Sequence, residues 1–232
     1  MQAQPLRGAQ ELLCINAEKV YDWVILQSSD STTITPGASG LTGIGLPAGF
    51  NPCASGIEDL AVSCILTDAS GNPVALSSPD AVTFEEIGTR TSQQFVVDGA
   101  LVTLQDVSWI KSVYVVLEFT GVSGVTPFII TSDPILFEIP ESAFLCAPEG
   151  TDLLIRLTDF SCRTRVNCTG TTLTSLDIFI NVCQSVQTFA NVTIELEAEF
   201  CQPRDIINEQ CPNPVIPPQC PVIFPANGPV MG

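Results

Sequence analysis

A chain of 232 residues with 25 acidic against 8 basic side chains carries a formal net charge of −17, which argues against nucleic acid as a partner. Charged residues are only 14% of it, below the quarter usual for a globular protein. Much of the surface is therefore expected to be covered by copies of the chain or another partner, unless Ser and Thr fill it. There are ten cysteines and no histidine, so histidine-based metal sites and histidine-assisted nucleophiles are excluded. No apolar run reaches the ~18 residues of a bilayer span, and no membrane insertion is expected.

The opening MQAQPLRGAQELL holds one early base, Arg7, and Gln10, Glu11 and Asn16 break up any apolar run after it, so no export signal is expected. Residues 1–18 read as an N-terminal arm, with a turn or two of helix over 10–17. A first β segment, 19–140, begins with a strand over 19–27, where Tyr21 and Trp23 are candidate interface aromatics. Strands are expected over 60–66, 81–87, 94–97 and 100–104, punctuated by Gly/Pro/Asp clusters at 36–40 and 68–73. Residues 112–119, SVYVVLEF, alternate with Val113, Val115, Leu117 and Phe119 inward. Strands over 128–131 and 135–139 close the segment.

A second β segment, 141–201, packs on the first and starts with a strand over 152–160. In residues 176–184, Leu176, Ile178, Ile180 and Val182 share one face; Asp177, Phe179, Asn181 and Cys183 share the other. Residues 191–201, NVTIELEAEFC, set Val192, Ile194 and Leu196 against Thr193, Glu195 and Cys201. The two runs predict a hairpin turning near 190–191. Residues 202–232 hold eight prolines in 31 positions, and proline lacks the N–H that a central strand donates. They read as an extended tail, with a helical turn at most over 204–209. Many short punctuated strands give an all-β fold, an antiparallel β-sandwich or jelly-roll-like body between two arms.

The cysteines carry the functional question. No CxxC occurs, no pair has zinc-knuckle spacing and no base stands ready to activate a thiol, so disulfides are the favoured reading. Cys162 with Cys168, and Cys53 with Cys64, are candidate intramolecular pairs closing small loops. Cys183 and Cys201 sit too far apart across the expected hairpin to bond to each other. With Cys14, Cys211 and Cys220 in the arms, they are candidate intermolecular bonds; bonding of the arms to their own body is the alternative that the residues leave open. Cys146 is unassigned. The motif DASGNP at 68–73 reads as a turn without the later acid of a calcium loop, and the Glu runs at 85–86 and 195–199 read as wet strand faces. No catalytic residue, metal or cofactor is expected.

Cys14 followed by KVYDWV at 19–24, ahead of a β-rich, histidine-free body with scattered cysteines, resembles the start of morphogenetic and surface proteins of bacterial endospore coats. The resemblance implies synthesis in the mother-cell cytoplasm without a signal peptide, then assembly on the spore surface as coat, exosporium or appendage with later disulfide cross-linking. A homo-oligomer or polymer is expected, with other spore-coat proteins as further partners. The alternative is a carbohydrate- or surface-binding β-sandwich module, an adhesin, whose mark would be an exposed aromatic-lined patch.

Overall fold

The computed structural model describes residues 11–36 and 41–198. Cys201, Cys211, Cys220 and the tail over 202–232 lie outside the described residues. Residues Cys14–Ile194 form one compact unit, and the ends of the first and last strands beyond it group separately.

The fold is all-β. Among the described residues eight strands form: β1 (Glu11–Ile34), β2 (Ile57–Thr67), β3 (Thr83–Val97), β4 (Ala100–Ser123), β5 (Thr126–Thr131), β6 (Ile135–Leu145), β7 (Asp152–Thr169) and β8 (Thr172–Ala198). One sheet has the order β1-β8-β7. The other is five-stranded, with β4 at its centre. β2 and β3 lie one after the other along one edge of β4, while β5 and β6 share the opposite edge in the same way. All these ladders, and that of β7 with β8, are antiparallel. β1 also runs antiparallel to β8: Asn16 meets Thr193, Trp23 meets Ser185 and Thr33 meets Asp177, one number rising as the other falls.

Local chemistry explains the turns. Between β3 and β4 the chain reverses at Asp98 and Gly99, both with positive φ (51° and 80°). This is the Asp-Gly pair of a two-residue hairpin, whose backbone twist matches that of the strands it joins. The 68–73 motif is a turn built on the Asp68 carboxylate, which accepts from the backbone N–H groups of Ser70 and Asn72 and from the Asn72 amide. Those hydrogen bonds, Asn72's first, hold the Asp68 pKa below its ordinary value.

Two sheets enclose one core. From β4 come Val107, Trp109, Val113, Val115, Leu117 and Phe119; from β8 come Leu176, Ile178, Ile180, Val182 and Val186, all buried. The alternation expected over 112–119 and 176–184 thus faces the core as read.

Three expectations are corrected. Of the helical turn expected over 10–17, residues 11–17 are strand, because β1 runs unbroken from Glu11. The hairpin near 190–191 does not form: β8 passes straight through it as one 27-residue strand. The physical reason lies in parity. Even-numbered side chains face inward from Leu176 to Thr188, Val192 keeps the same parity, and no described residue near 190 has the positive φ of a tight turn. β8 gains its partners from β7 and β1 instead.

The third correction concerns the disulfides. Cys53 is bonded to Cys168 and Cys64 to Cys162, each with Cα atoms 5.8 Å apart. The expected local pairs cannot form. Cys162 and Cys168 lie on the same extended strand, where six residues span about 20 Å, against a limit of about 7 Å for a bond. Cys64 is likewise carried well along β2, away from the loop holding Cys53. Both bonds instead stitch the β2 side of one sheet to β7 of the other.

A polar cluster crosses the core beside the apolar one. Lys111 on β4 is fully buried, and its Nζ donates to Ser28 Oγ on β1 (2.6 Å), Glu141 Oε1 on β6 (3.0 Å) and Gln184 Oε1 on β8 (2.8 Å). Glu141 Oε2 accepts from Trp109 Nε1 (3.1 Å) and from Gln184 Nε2. Every ammonium proton has an acceptor, which is the condition for burying a charge at tolerable cost.

Candidate assembly interface

β1 is the edge of its sheet. β8 pairs with one of its sides, and among the described residues no strand pairs with the other. It is also long: 24 residues at about 3.3 Å each make an edge of roughly 80 Å, where strands of 3–10 residues are usual. A long edge with unpaired N–H and C=O groups is a template for a strand from another chain. β1 carries no proline, and the charges that usually blunt such edges are absent over 23–29 (WVILQSS).

Alternation gives β1 two faces. Val24 and Leu26 pack against the core. Asp22, on the same parity, accepts from the Cys146 backbone N–H (2.8 Å) and so ties β1 to the residues after β6. Trp23 and Ile25 point outward and stay 63% and 58% exposed, which leaves two large apolar side chains in water. The Trp23 ring is nevertheless held in place, since its Nε1 donates to Ser185 Oγ (2.7 Å) on β8. Tyr21 is half-buried beneath the Lys19 ammonium, 4.4 Å above its ring centre. The same outer face continues on β8 with Phe179, 45% exposed. Trp23 is thus an oriented, solvated ring on a strand whose outer edge has no partner among the described residues.

The thiols divide by position. Cys14, on β1, is exposed and unbonded. Cys183 is an unbonded, half-buried thiol on β8, opposite Asp159 of β7 and two residues from the Ser185 that holds Trp23. Cys146 is unbonded and half-buried, with its carbonyl accepting from Thr188 Oγ1 (2.7 Å).

No family model, curated protein or solved structure matches the chain.

Sequence reasoning missed a second exposed apolar surface. At the tip of the β3–β4 hairpin Val96 is 73% and Leu101 65% exposed, and Phe95 packs edge-on against Phe144 with ring centres 4.9 Å apart. The signal was present in FVVDGALV, where apolar residues flank the turn without alternating. Lys111 and Glu141 were also missed, because a lysine beside a strand start and a glutamate after a proline read as solvated residues.

Other chemistry is sparse on the described surface. The cleft lined by Leu41, Pro47, Phe50 and Leu173 has one aromatic ring and no ionisable group on its walls. Among the described residues no group of three or more Cys, Asp or Glu is placed to hold a metal ion. No helix there is long and apolar enough to cross a membrane.

Proposed function

We propose that this chain is a structural subunit that polymerises side by side into a layer or fibre of a bacterial spore surface. The observation that carries the proposal is the outer edge of β1, without a partner strand among the described residues, with Trp23 and Ile25 displayed outward and the unbonded Cys14 on the same strand. A strand from a neighbour, supplied by one of the arms, adds to that edge, and disulfides through Cys14 and Cys183 then lock the contact. Cys201, Cys211 and Cys220 are the candidates on the other side of the bond. The spore setting rests on the likeness of Cys14 and residues 19–24 to endospore coat proteins, with coat, exosporium and appendage all compatible.

Electrostatics supports a two-stage process. Subunits of charge −17 repel one another until salt screens them, and a covalent bond then holds what packing began. The thiols are oxidised after assembly, so cytoplasmic synthesis and a disulfide-linked product are compatible.

The test is assembly of the purified chain at raised salt, followed by electron microscopy and by gels run with and without reductant. The expected result is ordered polymer, with ladders on the non-reducing gel that collapse to monomer on reduction. A Cys14→Ser, Cys183→Ser variant is expected to assemble yet lose the ladder. A chain that stays monomeric at high concentration, with one gel mobility in both conditions, refutes the proposal.

A further inference from the structure

The buried polar cluster holds three groups in the arrangement that an amide exchange requires. Lys111 Nζ lies 2.8 Å from Gln184 Oε1. A carbonyl bond is about 1.2 Å long, so the carbonyl carbon Cδ lies no more than about 4 Å from the amine, close to the separation of a near-attack pair. Glu141 spans the two: its Oε1 contacts the nucleophilic nitrogen at 3.0 Å, and its Oε2 contacts Gln184 Nε2, the nitrogen that would leave. One carboxylate is thus placed to take protons from the first nitrogen and deliver them to the second. Trp109 Nε1, 3.1 Å from Oε2, fixes its orientation.

The surroundings favour the same chemistry. Lys111 and Gln184 are fully buried, which withholds the competing nucleophile, water. Burial pushes the Lys111 pKa down, against the opposing hydrogen bond and charge of Glu141, and so brings the neutral amine within easier reach.

We propose that Lys111, Glu141 and Gln184 are an autocatalytic transamidation centre that joins β4 to β8 through an isopeptide bond. Lys111 gives a proton to Glu141, and the neutral Nζ adds to Gln184 Cδ, forming the new C–N bond. The Cδ–Nε2 bond then breaks. Of the three protons of the lysine ammonium, one stays on the new amide and two pass through Glu141 to Nε2, which departs as ammonium. Glu141 is regenerated as carboxylate. Nothing is oxidised or reduced, and no co-reactant is consumed. The bond joins the two sheets across 73 positions of sequence. Unlike the β2–β7 disulfides, it survives reductant. Its formation needs the folded core alone and is independent of self-assembly.

The experiment is mass spectrometry of the full chain, reduced and denatured after prolonged incubation in the folded state. The wild type is expected to be lighter by one ammonia, with a linked peptide pair in which tandem spectra place the bond between Lys111 and Gln184. Localisation matters, because succinimide formation at Asn227-Gly228 releases the same ammonia without linking Lys111 to Gln184. The Glu141→Gln variant is expected to keep its full mass. Gln184→Met supplies the unlinked standard. A non-reducing peptide map showing Cys53–Cys168 and Cys64–Cys162 reports that each chain has folded. Folded wild type with Lys111 and Gln184 on separate, unmodified peptides overturns the proposal. So does a Glu141→Gln chain that links as fast as wild type.

Discussion

Because the two disulfides are nested, their contributions to stability cannot be independent. Cys53–Cys168 alone closes a chain separation of 115 residues, and Cys64–Cys162 alone closes 98. By the loop-entropy relation each, as the sole cross-link, contributes about 4.7–4.8 kcal/mol. With one in place the other closes only the short circuit between them, about 17 residues, and contributes about 3 kcal/mol. Removing either bond by paired Cys→Ser substitution is therefore expected to cost about 3 kcal/mol, while removing both costs about 8 kcal/mol, more than the two singles together. Local pairs would behave otherwise: Cys53–Cys64 and Cys162–Cys168 close small separate loops worth about 2–3 kcal/mol each, and their losses would simply add, to about 5 kcal/mol. The assay is equilibrium urea unfolding without reductant, extrapolated to water, with Trp109 as reporter because its ring is fully buried. Additive losses would refute the nested arrangement.

Three further outcomes concern single sites. Trp23→Glu places a charge at a 63% exposed position, so it is expected to change monomer stability by less than about 1 kcal/mol while abolishing polymer seen by light scattering; undiminished assembly would remove β1's outer face from the interface. Glu86 is paired with Arg90 (2.7 Å) across a bulge in β3, and that hydrogen bond holds its pKa below the ordinary 4.5. A depressed folded pKa gives stability that is present above the unfolded value and lost as pH falls through the folded one, so wild type should exceed Glu86→Gln by up to about 1 kcal/mol at neutral pH and lose that advantage below about pH 4.5, as read by urea midpoints. Thr67 Oγ1 is buried without a hydrogen-bond partner among the described residues, so the near-isosteric Thr67→Val is expected to raise stability by about 1 kcal/mol or more; a loss would point to a partner for that hydroxyl.

The edge strand links these outcomes to function. Among the described residues the outer edge of β1 carries no partner strand and Trp23 stands in water, and the proposed neighbour would cover both. The interior is held differently, by cross-links and by the Lys111 cluster, so the surface can be blunted without unfolding the body. That separation makes the Trp23 and disulfide experiments independent of one another.

Only local features of the fold were legible in the order of residues. The period-two runs around Val113–Phe119 and Leu176–Val182 named the core faces of β4 and β8, because each strand sorts its own side chains by alternation. The same rule, carried further, would have kept β8 whole through residue 190, since its parity never changes. Partners were another matter. Which cysteine meets Cys64, and which acid lies beside Lys111, depend on strand order and on how two sheets stack, and those bring together residues 98 and 30 positions apart. No spacing in a single chain encodes such distances. They are decided only when the sheets close on one core.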